Sequence, residues 1–203
     1  MELHTKLDLF REFAADYVAA PRPLLLKPHP GRYLAIDGEG PPASPEFTRR
    51  LGCLFNVAFT LKMSCKKDGR DYKVAPLEGL WWTTHKGEDF WKAPPEAMRW
   101  RLLIRSPEWL TDAQIRATAE ALVAKGKDAA VKKVRLEKLD EGRCVQMLHV
   151  GPYAMEFETI GKMLEFATRH GVLPHGLHHE IYLSDPRRVP PARLKTILRL
   201  PVK

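Results

Sequence analysis

The sequence predicts an α+β protein made of two pseudo-symmetric modules, with antiparallel strands, helices on one face and a central cavity at the seam between the modules. Three observations lead to this fold class. A strand motif occurs twice, each copy ends at a Gly-Pro corner, and the helices and strands around each copy follow the same order. A repeated unit of this kind favours layers of helix on sheet, related by an approximate dyad.

The repeated motif reads GRYLAIDGEGPP at 31–42 and GRCVQMLHVGPY at 142–153. With no gap in the alignment, the Gly-Arg pair at the start and the Gly-Pro pair near the end coincide. A Glu-Phe pair follows each copy, at 46–47 and at 156–157. Each copy therefore predicts a strand that leads through a corner into a helix.

In the first half, a helix and a strand precede the motif, and a helix and two strands follow it. The helix after the motif is predicted from apolar residues that recur every three or four positions, namely Phe47, Leu51, Leu54, Ala58 and Leu61. The other elements are a helix at 7–17 and strands at 24–30, 31–42, 75–84 and 98–107.

In the second half the same order returns. A capping box formed by Thr111 and Gln114 begins the first helix, and Gly171 is the predicted stop of the second. The elements are helices at 111–124 and 157–170 and strands at 134–140, 142–153, 178–185 and 192–201. We expect one domain of two repeats, approximately 1–108 and 109–203.

Composition limits the class of protein. Of the 203 residues 44% are hydrophobic, enough for a sizeable core, and no run approaches the ~18 apolar residues of a membrane helix. The N-terminus lacks the apolar segment of a signal peptide, so we expect a cytoplasmic protein with no membrane partner. The three cysteines lie far apart and form no CxxC pair, which argues against disulfides and thiolate metal sites. No cofactor is expected.

The net charge of +8 permits nucleic-acid binding without showing it. The densest basic stretch, at 125–135, has no aromatic residues between its charges, and no recognisable nucleic-acid-binding module surrounds it. We therefore interpret the stretch as a solvated surface and do not expect direct nucleic-acid binding.

A glutamate interrupts the strand that reads HHEIYLSD at 178–185. Because side chains alternate across a strand, His178, Glu180 and Tyr182 share one face, while the face with His179 looks built for packing. The two adjacent histidines point to opposite faces, so one histidine and one glutamate remain on the same face. Zinc requires three or four convergent ligands. No metal site is predicted.

A second strand glutamate, Glu78, aligns with Glu180, and both are expected to face the seam between the modules, where pockets commonly form. Alternation places Trp82 on the face of Glu78 and turns Trp81 toward a helix. Aromatic residues concentrate in this part of the chain: Trp81, Trp82, Phe90, Trp91, Trp100 and Trp109. Phenols near the strand ends and the seam are contributed by Tyr33, Tyr153 and Tyr182.

A carboxylate among aromatic rings has three interpretations. Burial in an apolar cavity suits a carboxyl group to act as an acid or a base near neutral pH. A carboxylate can also balance a cationic ligand whose flat body stacks on the rings. Alternatively, each glutamate pairs with a basic strand neighbour such as Arg101 or Lys195 for purely structural reasons.

Several stretches resemble the GyrI-like small-molecule-binding superfamily: YLAIDGEG (33–40), PLEGLWW (76–82), HVGPY (149–153), HHEIYLSDPRR (178–188) and LKTILRLPV (194–202). The resemblance is to stand-alone members, because regulatory relatives carry a fused DNA-binding domain and only about 22 residues precede the first predicted strand here. It implies two strand-helix-strand-strand modules around a cavity with a key glutamate, matched by Glu180, and aromatic walls that accept flat, lipophilic, often cationic compounds. Some stand-alone relatives are hydrolases that open the cyclopropane of DNA-alkylating natural products.

Two functions remain open on the sequence. In a hydrolase, Glu180 would activate a water molecule, and Tyr153 or Tyr182 would donate a hydrogen bond to the oxygen where charge develops. Trp82 and Trp100 would hold the planar substrate. In a binding module without turnover, Glu180 would be the counter-charge of a lipophilic cation. Further expected ligand contacts are Glu78, His178 and Tyr33.

Overall fold

The computed structural model describes residues 6–42, 44–85 and 92–203. Within these ranges the α-helices are α1 (Leu9–Glu12), α2 (Pro45–Lys67), α3 (Asp112–Ala124) and α4 (Glu156–Arg169). The strands of the first half are β1 (Leu24–Leu26), β2 (Gly31–Glu39), β3 (Leu77–Thr83) and β4 (Met98–Ser106). Those of the second half are β5 (Arg135–Leu139), β6 (Cys144–Val150), β7 (His178–Tyr182) and β8 (Lys195–Pro201). The predicted α+β class is confirmed.

All eight strands join one antiparallel sheet in the order β1-β6-β8-β7-β3-β4-β2-β5. The two halves of the chain meet where β3 pairs with β7, and β1 and β5 each pair with a strand of the opposite half. The counterparts of β1, β2, β3 and β4 in the second half are β5, β6, β7 and β8. Exchanging each strand with its counterpart gives the same strand order read from the other edge of the sheet. The strand order is compatible with a duplication, and the division near residue 108 stays a prediction.

The long helices cover one face of this sheet. The apolar stripe of α2 buries Leu54, Val57 and Leu61 against β2 and β4, and that of α4 buries Ile160 and Met163 against β6 and β8. The strand register shows that both helices lie on the same face. Leu198, which packs under α4, pairs with Glu180, and Glu180 pairs with Gly79, so these residues share one face. Trp81, two residues after Gly79, projects to that same face and packs against α2. Helices on one face were predicted, and the structure confirms it.

Local signals explain where the helices begin and end. The Ser44 hydroxyl accepts a hydrogen bond from the Phe47 amide, and Pro45 occupies the first turn of α2, where its missing N–H costs nothing. The capping box predicted at Thr111 is present at the start of α3. Gly171 follows α4 with a φ of 65°, a conformation that favours glycine and ends the helix as predicted.

The N-terminal region differs from the prediction. The helix expected at 7–17 is one turn of α1 followed by a 3-10 turn at Ala14–Tyr17, and β1 stops at Leu26. The expected strand does not extend further because the prolines at 28 and 30 have no N–H for a ladder. The segment crosses the sheet face opposite α2 and α4, where Tyr17 packs on Ile181 and Ile197. Within the described ranges, the structure contains no helix long and apolar enough to cross a membrane.

Candidate functional site

The register between β3 and β7 determines which side chains meet at the centre of the sheet. Gly79 lies opposite Glu180, and Trp81 lies opposite His178. Directly paired residues of antiparallel strands project to the same face, so Trp81, His178, Glu180 and Tyr182 all project to the face that carries α2 and α4. The predicted grouping of His178, Glu180 and Tyr182 is confirmed, but on the helix-bearing face.

A chain of hydrogen bonds orients Glu180. The Tyr182 hydroxyl donates to Glu180 Oε2 at 2.6 Å and accepts from Trp81 Nε1 at 3.1 Å. His178 Nε2 lies 3.5 Å from Glu180 Oε1. The Glu180 carboxyl group is therefore held in one orientation by a phenol that is itself held by an indole, while only 6% of Glu180 is exposed.

Sequence reasoning missed a second carboxyl group at this place. Glu156, the first residue of α4, is 6% exposed, and one of its oxygens lies within 4.8 Å of donor atoms of His178 and Glu180. Burial, and to a lesser extent the charge of Glu180, raise the pKa of Glu156 to about 10. The signal for it was the Glu-Phe pair after the second Gly-Pro corner, which predicts a helix start but does not indicate where the side chain points.

Five residues, Trp81, Glu156, His178, Glu180 and Tyr182, form what we call the Glu180 cluster. Tyr153 lies at its outer side, with its ring 5.8 Å from that of Tyr182 in an edge-on arrangement and with 40% of the residue exposed. Burial and the nearby carboxylates of Glu156 and Glu180 raise the pKa of Tyr153 to about 12. Tyr153 therefore keeps its proton at neutral pH and can donate a hydrogen bond.

Glu78 does not face the same region as Glu180, and the expectation that the two share a seam is wrong. Glu78 pairs with Ile181, the neighbour of Glu180 on β7. Neighbouring residues of a strand project to opposite faces, so the side chains of Glu78 and Glu180 lie on opposite faces of the sheet. Tyr17 donates to Glu78 Oε1 at 3.0 Å, and His179 Nε2 lies 2.9 Å from its other oxygen. Within the described part of the chain, Arg101 pairs with Asp37 and not with Glu78.

The face expected to serve packing alone carries a buried ionic network. His179, wholly buried, contacts Glu78 and Glu141, and Arg199 contacts Glu141 at 2.7 Å. Burial lowers the pKa of His179, but the two carboxylates outweigh that effect and raise it to about 9. Burial opposes ionisation of Glu141, yet His179 and Arg199 lower its pKa to about 2. The network holds the N-terminal segment through Arg199, which donates to the Asp16 carbonyl at 2.6 Å.

Three of the predicted aromatic contacts lie away from Glu180. Trp82 and Tyr33 pack together with Leu80 on the opposite face of the sheet. Trp100 is on the helix-bearing face but fully buried, in edge contact with Phe47 at 5.0 Å, and its indole donates to the Gly40 carbonyl. Trp81 lies near Glu180 instead and is linked to it through the Tyr182 hydroxyl. The aromatic residues at 90 and 91 lie outside the described residues.

The Glu180 cluster also contains one group of donors with metal-ligand spacing. Glu156, His178 and Glu180 each offer one donor atom, and the three atoms lie within 4.8 Å of one another. Two carboxylates and one imidazole would suit a divalent cation. The sequence indicated only the pair on β7, because Glu156 reaches the group from a different element.

A cleft of about 400 Å³ lies elsewhere, between the N-terminal segment and α4. It is lined by Pro21, Arg22, Pro23, Met147, Lys162, Glu165, Phe166 and Arg169. None of these residues was predicted as a site residue, and none belongs to the Glu180 cluster. The central cavity expected at the seam is not this cleft, because none of the lining residues lies on β3 or β7, the two strands that meet there.

Comparisons with known proteins bear on this geometry. Residues 103–203 match the GyrI-like small molecule binding domain. The structure of an uncharacterized conserved protein from Listeria innocua is similar over 98% of this chain and 100% of that one, with 35% identity and a TM-score of 0.90. A hydrolase from Listeria innocua shows 33% identity, the same coverage and a TM-score of 0.86. The EcmrR C-terminal domain shares the fold at 10% identity, covering 90% of this chain and 97% of that one, with a TM-score of 0.59. No curated protein matches the chain.

Proposed function

Because the chain belongs to the GyrI-like family of small-molecule-binding domains, we propose that the Glu180 cluster binds a lipophilic small molecule and that Glu180 activates water to hydrolyse it. The observation that carries the proposal is the hydrogen-bond chain from Trp81 through Tyr182 to Glu180. It holds a buried carboxyl group in a fixed orientation, as general-base catalysis requires. The similarity to a Listeria hydrolase over the full chain supports the same class of activity.

The hydrogen bonds assign different tasks to the two oxygens of Glu180. Oε2 accepts from Tyr182, so Oε1 is the oxygen that would take a proton from water. Tyr182 has its own proton committed to Glu180 and its lone pair to Trp81. Tyr153, on the outer side of the cluster, is therefore the better donor to the oxygen on which negative charge develops.

The substrate class that we propose is a flat, lipophilic compound with a strained, electrophilic cyclopropane, such as a DNA-alkylating agent. The water oxygen would bond to a ring carbon while a ring C–C bond breaks and its electron pair moves into the conjugated carbonyl. That carbonyl oxygen becomes an oxyanion, which accepts a hydrogen bond from Tyr153. The proton lost by water goes to Glu180 and then to this oxygen, so that a neutral product leaves and the Glu180 carboxylate is restored. Hydrolysis before the compound reaches DNA would protect the cell.

Mass spectrometry of reaction products tests this proposal. The protein is incubated with a cyclopropane-bearing alkylating agent, and the ring-opened water adduct is followed over time. We expect adduct formation above background and a loss of about 10²-fold or more in Glu180→Gln, since a general base commonly contributes 10²–10⁴-fold. Glu158→Gln, an exposed substitution in the same turn of α4 as Glu156, is the matched control. Unchanged turnover in Glu180→Gln would refute the assigned role.

A second candidate function is binding of lipophilic cations without turnover. One observation favours it: within the described residues, neither Glu156 nor Glu180 forms an ion pair with a lysine or arginine, although both are buried. Under this alternative, Glu180→Gln weakens the binding of a flat cation and leaves a neutral flat compound almost unchanged. Under the hydrolase proposal, the same variant loses turnover while retaining most of its affinity for a neutral substrate.

A further inference from the structure

We propose that the cleft between the N-terminal segment and α4 is a second binding site, which takes a small amphipathic anion with a flat aromatic body and one oxyanion group, a carboxylate or a phosphate. The cleft has a volume of about 400 Å³, within the usual range of small-molecule pockets. It is separate from the Glu180 cluster, and its ligand carries the opposite charge to the cation considered there. The proposal therefore does not depend on the function assigned to Glu180.

An irregular sheet edge builds one wall of this cleft. Leu24 of β1 pairs with Gln146 of β6, and further along β6 the Leu148 amide donates to the Ala20 carbonyl at 2.8 Å. From 146 to 148 is two residues, whereas from 24 to 20 is four, so the chain at 21–23 leaves the ladder as a bulge. The prolines at 21 and 23 have no N–H for the ladder, and their fixed φ stiffens the bulge. The opening beside α4 is therefore set by the backbone.

The lower part of the cleft is apolar. Met147 of β6 is only 7% exposed, and Phe166 of α4 packs against the same apolar cluster. The Phe166 ring stacks on the His170 imidazole with 3.9 Å between the ring centroids, and His170 Nδ1 lies 2.8 Å from the Phe166 carbonyl oxygen. A ring held in one orientation gives a flat ligand a preformed surface, so less entropy is lost on binding.

The charged side chains around this apolar surface are mainly positive. Lys162, Glu165 and Arg169 are spaced by three and four residues, so they lie on one side of α4. Arg22 lines the cleft from the bulge. Among the described residues, no carboxylate forms an ion pair with any of these three cations, and that includes Glu165. Three cations less one carboxylate leave a net charge of +2.

This distribution of charge selects the ligand. A concave surface lined by one sign of charge concentrates ions of the opposite sign, and the planar guanidinium of arginine matches the geometry of a carboxylate or a phosphate. A cation would be repelled, and a neutral compound would gain only the apolar contacts. The cleft therefore favours an anion whose ring rests on Phe166 and whose oxyanion group contacts Arg22 and Arg169.

Naphthalene derivatives of matched shape test the charge preference. 2-Naphthoate carries one negative charge at pH 7, and 2-naphthamide has nearly the same shape without the charge. In calorimetric titrations we expect 2-naphthoate to bind at one site per chain, with a dissociation constant below about 1 mM and about tenfold more tightly than 2-naphthamide. Added salt should weaken its binding, because ions screen exposed charges. A titration with 2-naphthyl phosphate compares the two oxyanions, and the one that binds more tightly identifies the ligand class.

Variants locate the ligand in the cleft. Arg22→Gln and Arg169→Gln should each weaken the binding of 2-naphthoate by about threefold to tenfold. Glu165→Gln removes the negative charge of the cleft and should strengthen it. All three residues are exposed, so the variants should fold as the parent protein does. Arg116→Gln, an exposed substitution on α3 away from the cleft, is the matched control and should leave the affinity unchanged.

Methionine methyl groups give a second location that requires no charge to be removed. In protein labelled with carbon-13 at these methyl groups, the signal of Met147 should shift as 2-naphthoate is added, because Met147 lines the cleft. The signal of Met98, which packs beneath α2 in the other half of the sheet, should not move. Met147→Leu identifies the signal.

Several results would overturn this second site. One is the absence of binding by 2-naphthoate and 2-naphthyl phosphate up to about 1 mM. Equal affinity for 2-naphthamide would remove the role of charge, and unchanged affinity in both arginine variants would place the ligand outside the cleft. Loss of 2-naphthoate binding in Glu180→Gln would assign it to the Glu180 cluster instead. Failure of the cyclopropane assay would leave this site standing, because none of the residues that line the cleft belongs to the Glu180 cluster.

Discussion

Gly79 of β3 lies directly opposite Glu180 of β7 and leaves the space in which the Tyr182 hydroxyl reaches Glu180. A methyl group at Gly79 would stand 3.0 Å from Trp81 Nε1 and 3.1 Å from the Tyr182 hydroxyl, closer than ordinary contacts. The absence of a side chain on one strand therefore permits the hydrogen-bond chain that orients the carboxyl group on the next.

Gly79→Ala should disturb the site while preserving the fold. The added methyl group pushes against Trp81 and Tyr182, so their hydrogen bonds lengthen and Glu180 loses its fixed orientation. We expect turnover or cation affinity to fall about tenfold, the size of effect that a net loss of ~1.4 kcal/mol produces. Gly52→Ala in α2 is the control, because its methyl group meets no atom within 4 Å and should stabilise the helix slightly. Equal activity of both variants would contradict the role given to Gly79.

The two tyrosines should be separable by single-atom substitutions. Tyr182→Phe removes the donor to Glu180 Oε2 and leaves the Trp81 N–H without its acceptor, so we expect a stability loss of ~1–3 kcal/mol together with reduced activity. Tyr153→Phe should leave urea unfolding nearly unchanged, because Tyr153 is 40% exposed, and lower kcat alone. Chemical denaturation and steady-state kinetics measure both. A large stability loss in Tyr153→Phe, or none in Tyr182→Phe, would reverse these assignments.

The ionic network behind the site should make stability depend on pH. The pKa of His179 is raised to about 9 in the folded protein, above its ordinary value of 6.5, so the folded state binds the proton more tightly. Its contribution is complete below about pH 6.5 and is lost as pH rises through about 9, a change of roughly 3 kcal/mol at most. Urea unfolding at pH 6.5 and pH 9.5 measures it.

A variant isolates the histidine from other groups that titrate in the same range. His179→Gln should be less stable than the parent at pH 6.5 and should lose less stability between the two pH values. Glu156, whose pKa is also raised, contributes in the same direction, and Glu156→Gln measures that part separately. An unchanged pH dependence in His179→Gln would show that this histidine is not the charged member of the network.

Tryptophan fluorescence should report which face of the sheet receives the ligand. Trp81 lies on the face of Glu180, and Trp82, its neighbour in sequence, lies on the opposite face. We expect a flat ligand to quench the parent protein and Trp82→Phe, and to quench Trp81→Phe only weakly. Retained quenching in Trp81→Phe together with its loss in Trp82→Phe would place the ligand on the other face.

Much of the fold could be predicted because its signals are local. Residues within a few positions of one another form these signals: the regular spacing of apolar residues along α2 and α4, the capping box at Thr111 and the helix end at Gly171. Register across the sheet could not be predicted in the same way. The alignment of Glu78 with Glu180 led to the expectation that both face the seam, but Glu78 pairs with Ile181, so the two carboxyl groups lie on opposite faces of the sheet.

That Glu180 shares a strand face with His178 and Tyr182 follows from the sequence alone, because the alternation of side chains is a property of any single strand. What that face contacts depends on the tertiary structure. Pairing of β3 with β7 brings Trp81 beside Glu180 and sends Glu78 to the opposite face, and the packing of α4 on the sheet brings Glu156 within reach. These choices depend on which distant surfaces bury one another, and burial is a property of the whole folded chain.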